Sequence, residues 1–185
     1  MIKLQKSTLM SLKPVKSAVI VPIIDDKEIL LIKRSKNLKN HPGEIAFPGG
    51  VIENDEDPIK TAIREIYEEI SIRREHLTII GILEGVFISK TNFQIIPVVS
   101  KLERKALEEI KINKDEVEDI IIYSIEELLK LRRVIVPGFW YIFASSKGVI
   151  WGATARIIND FLKSPFILLN LINFLSPVNV AFGPI

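Results

Sequence analysis

The sequence predicts an α/β fold of the α+β kind, a mixed sheet covered by helices, and three observations predict it. Branched, apolar runs of strand length recur along the chain and outnumber the helical patterns. The helical patterns are long and interspersed with those runs, so helices are available to cover a sheet. The chain has 185 residues, 48% of them hydrophobic, which is enough to bury one substantial core. A single domain over residues 1–185 follows, with a helical extension from about residue 163.

The first two strands are "SAVIVPII" and "EILLIKR", separated by the turn-like "DDK" and so read as a hairpin. A polar stretch rich in Lys and Asn leads into "HPGEIAFPGG", punctuated by Pro and Gly. A helix then starts with clear signals. Asp57 is a good N-cap, and Pro58 suits the first helical position, where a missing N–H costs nothing. Ile59, Ala62, Ile63, Ile66 and Ile70 recur at helical spacing and form one apolar stripe.

After polar "SIRREH", the runs "LTIIGILEGVFIS" and "FQIIPVVSKL" read as two strands joined by "KTN". The polar segment from Glu103 to Asp115 holds a short helix or a loop. "VEDIIIYS" is a strand, "SIEELLKL" a short helix capped by Ser124, and "GFWYIFAS" another strand. "VIWGATARIINDFL" and "PFILLNLINFL" are expected to be two C-terminal helices.

Composition narrows the functional classes. A net charge of +2 does not suit a dedicated nucleic-acid binder. Cysteine is absent, which removes disulfides, thiolate ligands and cysteine nucleophiles, and suits a reducing compartment. Abundant Ile, Lys and Glu give the chain a thermophile-like composition. The basic N-terminus lacks a signal-peptide core, and no apolar run reaches membrane-spanning length. A cytoplasmic protein without membrane or nucleic-acid partners is expected.

The predicted helix crowds Glu65, Glu68 and Glu69 onto one side, away from its apolar stripe. Such a group is either a solvated face or a cation site. Hard cations such as Mg2+ take oxygen ligands and share positions with waters and substrate phosphates. Arg64, four residues before Glu68, is placed to hold that carboxylate. The pair Gly49–Gly50 allows backbone to come close to a metal or phosphate, and the carbonyl of Gly49 or of Gly50 is a candidate ligand, Gly49 being the choice.

Counted from Gly50, the chain reads five residues, Glu56, seven residues, Arg64-Glu65-Ile66-Tyr67-Glu68-Glu69, then Ile70, Ser71 and Ile72. This resembles the Nudix box at every defined position except the last glycine, which is Ser71 here. A serine at that place costs about 1 kcal/mol if its φ is positive, but removes no chemistry. The resemblance implies a Nudix-type α/β/α sandwich and a hydrolase of nucleoside diphosphates linked to another moiety. It implies Mg2+ or Mn2+ as cofactor, held by Glu65 and Glu69 first and Glu68 next, with Arg64 as an orienting partner. Glu65 is a candidate base, as is a carboxylate from a later loop, for which Glu116 in "KDEVEDIII" is the choice.

From Leu30 the chain reads "LLIKRSKNLKNHPGEIAFPGG", which resembles the motif of the coenzyme A diphosphatase branch, L-L-T-x-R-S/A-x3-R-x3-G-x3-F-P-G-G. Ile32 stands for Thr and Lys39 for Arg, and a lysine keeps the charge but loses the planar fork. "IIPVV", Glu116–Val117 and "WGATARI" echo the same branch, so the resemblance runs from about Ser17 to Phe161. It implies a small-molecule substrate, coenzyme A or a derivative, cleaved to 4′-phosphopantetheine and adenosine 3′,5′-bisphosphate. Lys33, Arg34, Lys36, Lys39 and His41 gather positive charge before the glycines, as a polyanionic ligand needs. Arg34, Ser35, Lys39 and His41 are the candidate substrate-binding residues. The alternatives are hydrolysis of ADP-ribose or a dinucleotide, and a Nudix-like domain that binds nucleotide without turnover. The apolar C-terminal segment suits packing on the domain or on a second copy, so a homodimer is expected.

Overall fold

The computed structural model describes residues 13–136 and 139–167. Strands β1 (Val15–Ile24) and β2 (Glu28–Arg34) form the expected hairpin. Its turn residues Asp25 and Asp26 both have positive φ, 50° and 55°, the geometry that matches the twist of paired strands. The two strands pair only next to the turn, at Ile23 with Ile29 and Ile24 with Glu28, and then diverge.

Each finds other neighbours. Two short strands unforeseen in the Pro/Gly segment, β3 (Ile45–Ala46) and β4 (Gly49–Val51), pair with β2 and β1 respectively. Helix α1 (Pro58–Ile70) follows, begun by Asp57, whose side chain accepts the Ile59 N–H. The stretch expected as one strand after α1 is two, β5 (Leu77–Ile82) and β6 (Val86–Ile88), both paired with β7 (Phe93–Leu102). A bulge between Ile79 and Gly81 and the break at residues 83–85 divide them. Strand β7 runs parallel to β1 from Val15–Phe93 to Ile24–Leu102. Strand β8 (Val117–Ser124) joins the far side of β2, so the main sheet is mixed.

Helix α2 (Ile125–Lys130) is capped by Ser124, whose hydroxyl accepts the Glu127 N–H. A second, antiparallel sheet contains β9 (Arg133–Val136), β10 (Phe139–Ser145) and β11 (Gly148–Trp151). Residues Val149–Trp151 were expected to open a helix but pair with β10, and helix α3 (Gly152–Leu162) starts only after them. Local pattern favours the helix; the edge of β10 offers these β-branched and aromatic residues ladder hydrogen bonds instead. Of the second expected C-terminal helix, residues 165–167 are helical and the remainder lies outside the described residues.

The strands alternate between two cores. Val21, Ile23, Ile29 and Leu31 face α3 and the small sheet, where Phe143, Ile150, Ile158 and Phe161 cover them. Ala18, Ile20, Ile24, Leu30 and Ile32 face the other way, onto Ala62, Ile66 and Ile70 of α1. The mixed sheet is thus flanked by helices, as expected. The packing fixes the rotation of α1 and with it the direction of its carboxylates. Among the described residues no helix is long and apolar enough to cross a membrane.

Candidate active site

The site is built from α1 outward. Before the helix, Asn54 and Asp55 take left-handed backbone, and the Glu56 N–H closes the turn on the Glu53 carbonyl at 2.8 Å. This aims Glu56 back at the helix, where its Oε2 accepts from the Thr61 hydroxyl at 2.8 Å and Arg64 Nε at 3.4 Å.

Arg64 is the hub. Its Nη1 donates to Glu65 at 2.8 Å and to Glu68 at 3.0 Å, and Nη2 reaches the Val51 carbonyl at 3.4 Å. Burial opposes the charge on Arg64, but the hydrogen bond to Glu65 and the charges of Glu65 and Glu68 outweigh it and hold the guanidinium protonated. The expected grip on Glu68 is present, and it extends to Glu65 and Glu56. In the sequence Glu56 is only a position of the box; its contacts with Thr61 and Arg64 arise in the fold.

The three crowded carboxylates differ in environment. Glu68 is half exposed, while Glu65 is mostly covered and Glu69 is only 2% exposed. The Gly49 N–H donates to Glu69 Oε2 at 3.1 Å. Flanking bonds from Ile20 N–H to Pro48 and from Ile52 N–H to Lys16 make Gly49–Val19 a non-hydrogen-bonded pair. Both polar groups of the Gly49 peptide therefore point away from β1. Gly50 has a different use, because a Cβ there would overlap the Glu65 carboxylate. A side chain at Gly49 (φ 156°) would run into the Ala18 carbonyl and Val19.

Electrostatics joins distant residues to this cluster. Burial, then repulsion from Glu65 and Glu116, pushes the Glu69 carboxyl up to about 8, with the Gly49 hydrogen bond and Arg34 pulling the other way. Glu65 is also raised, chiefly by burial, against the pull of Arg64, with Glu68 and Glu116 adding to the rise. Glu116 thus lies within the field of both carboxylates. Arg34 lies at the end of β2 opposite Val117, and its Nε is buried without a hydrogen-bond partner.

The other expected binding residues are placed differently. Ser35 is 5% exposed, its hydroxyl accepts the Asn37 N–H at 3.3 Å, and its own N–H holds the Glu116 carbonyl at 2.8 Å. It shapes the turn that carries Arg34. His41 is exposed, has a φ of 56°, and pairs with Glu44 at 2.9 Å. Lys39 is exposed, and Lys33 is engaged by Glu118 at 2.9 Å. Of the basic group, Arg34 acts on Glu69 through its charge.

Among the described residues no three acidic or histidine side chains form a finished metal cage. A hard divalent ion does not need one, since it retains waters and shares positions with substrate phosphate. The donor set suits such an ion. Two covered carboxylates, Glu65 and Glu69, lie in the field of Glu116, and burial first, then neighbouring carboxylates, raises both, while Arg64 pulls Glu65 and the Gly49 N–H and Arg34 pull Glu69 the other way.

Known proteins resemble this chain in sequence and in fold. A family model described as NUDIX domain matches residues 14–140. A Pectobacterium atrosepticum protein named "Uncharacterized Nudix hydrolase NudL" is 34% identical over 81% of this chain and 84% of that one. "Nudix hydrolase 3" of Caenorhabditis elegans is 36% identical over 61% of this chain and 49% of its own length, so the chain spans about half of that relative. Among solved structures, a C. elegans Ap4A hydrolase binary complex has a TM-score of 0.51 at 24% identity, covering 62% of this chain and 83% of that one. At that identity the likeness is one of fold.

Proposed function

The chain belongs to the Nudix family of pyrophosphohydrolases, acting on nucleoside diphosphate derivatives, and on that premise we propose that its substrate is coenzyme A or a derivative. The products are 4′-phosphopantetheine and adenosine 3′,5′-bisphosphate. The observation that carries the reading is Arg34. The upstream motif places an arginine there, and its buried Nε lacks a protein partner beside the carboxylate cluster. A guanidinium so placed suits a phosphate oxygen.

In this reading Glu65, Glu69 and Glu68, with the Gly49 carbonyl, would hold Mg2+ or Mn2+. When bound, such an ion neutralises pyrophosphate charge and acidifies water. The chain's own residues do the rest. Arg34 binds a phosphate and offsets the charge of Glu69. Arg64 keeps Glu65 and Glu68 oriented through its bonds of 2.8 and 3.0 Å. Glu65 or Glu116 takes the proton of the attacking water, whose oxygen forms the new bond to phosphorus. The bond from that phosphorus to the bridging oxygen breaks, and the bridging oxygen leaves on the other product. The single domain and cytoplasmic setting expected from the sequence are part of the same proposal.

A second reading rests on Ile32 and Lys39, which depart from the motif, and on the exposure of Lys39. It takes ADP-ribose or a dinucleotide as substrate. A chromatographic product assay with Mg2+ or Mn2+ decides, comparing coenzyme A, ADP-ribose, NADH and diadenosine polyphosphates. A clearly higher kcat/KM for coenzyme A, with adenosine 3′,5′-bisphosphate as product, supports the first reading. Preference for any of the others removes it.

A further inference from the structure

The terminal serine of the box is engaged in the fold. Ser71 ends α1 with φ 60° and ψ 21°, so it carries the strain of left-handed backbone that a glycine would avoid. Its hydroxyl donates to the Lys111 carbonyl at 3.1 Å, a bond no glycine can make.

Lys111 belongs to a strap, residues 103–116, that crosses the C-terminal end of α1 and ends at Glu116. The strap supplies donors for the last carbonyls of the helix: Lys111 N–H to Ile70 at 3.3 Å and Asn113 N–H to Glu69 at 2.9 Å. Asn113 then folds the chain toward the site. Its carbonyl accepts from the N–H groups of Glu116 at 3.1 Å and Val117 at 2.8 Å, and its side chain from the Asp115 N–H at 3.2 Å. At the far end the Ser35 N–H holds the Glu116 carbonyl at 2.8 Å. The route from Ser71 to Glu116 is therefore a short run of hydrogen-bonded backbone, and it passes through the peptide of Glu69.

We propose that Ser71 is a positioning residue, whose hydroxyl bond to the strap sets where Glu116 stands relative to Glu65 and Glu69. The proposal rests on the reading of Glu116 as part of the site. It explains why the strained backbone can be kept: the bond to Lys111 repays the strain by fixing the strap.

Ser71→Gly tests it, because glycine relieves the strain while removing the bond, and folding is not at risk. The expected result is a kcat lowered by about three- to tenfold, the factor one hydrogen bond is worth, with KM unchanged and Tm equal to or above wild type. In the metal-free protein, hydrogen exchange at the Asn113 and Glu116 amides becomes faster. In a Glu116→Gln background, Ser71→Gly has no further effect on kcat. Wild-type kcat in Ser71→Gly overturns the proposal. So does an undiminished effect in the Glu116→Gln background, since Ser71 then acts through something else. If Glu116→Gln alone keeps full activity, Glu116 itself is misassigned and the positioning role falls with it.

Discussion

Replacing Glu69 by Gln removes one charge and preserves nearly everything else. Glutamine has the same length, and its Oε1 can accept the Gly49 N–H that now donates to Glu69 at 3.1 Å. In the metal-free protein the Glu69 carboxyl is raised from 4.5 to about 8, mainly by burial and then by Glu65 and Glu116. A group with a raised folded pKa binds its proton more tightly in the folded state. Its contribution to stability is therefore full below the unfolded value and is lost as pH rises toward the folded value. Wild-type protein with a chelator should lose stability between about pH 4.5 and pH 8 and level off above that. At about 1.4 kcal/mol per unit the shift corresponds to at most about 5 kcal/mol. Salt screens the part due to Glu65 and Glu116, so a gain of about 2–5 kcal/mol is expected for Glu69→Gln above pH 8. For a chain of this size that raises Tm by about 5–15 °C. Thermal melts from pH 5 to pH 9 with a chelator measure it. Adding Mg2+ or Mn2+ should stabilise the wild type and leave the variant unmoved, and turnover in the variant should fall at least about a hundredfold, as loss of transition-state charge stabilisation does. Parallel pH–Tm curves for the two proteins, or turnover retained in the variant, would show that Glu69 is neither the strained buried carboxylate nor part of the site.

Two further substitutions probe the shell around it. Gly50→Ala places a methyl group where the Glu65 carboxylate lies, so activity should drop sharply while far-ultraviolet circular dichroism stays native; unchanged kcat would mean that Glu65 works from another position. Arg64→Lys keeps the charge but cannot bridge Glu56, Glu65 and Glu68 together. A fall in kcat of about 10- to 100-fold is expected, the price of misplacing a positioned catalytic group, and steady-state kinetics with equal protein stability checks it.

Short-range physics made much of the fold legible. The start of α1 at Pro58, its cap at Asp57 and its buried stripe depend on residues within four positions of one another. The alternation of β1, β2 and β7 is equally local, and so is the Ser124 cap of α2. Where local preference met a competing partner, pattern failed. Residues Val149–Trp151 carry a sequence compatible with a helix start, yet they complete the ladder beside β10. The short strands β3 and β4 have too few residues to show any period.

By itself the sequence determined the order of the main strands and helices, the carboxylates of α1 and the glycines before them, and hence the family. Only the tertiary structure decided which carboxylate is buried: Glu68 and Glu69 are neighbours in the chain, but Gly49 and the sheet cover one and solvent reaches the other. It likewise paired β1 with β7 in parallel, brought Arg34 and Glu116 into the field of Glu69, and set Ser71 against Lys111. The reason is physical. Residue type and spacing govern the backbone a few positions away, whereas burial, pKa and hydrogen bonding depend on groups tens of residues distant, which meet only when the two cores have packed.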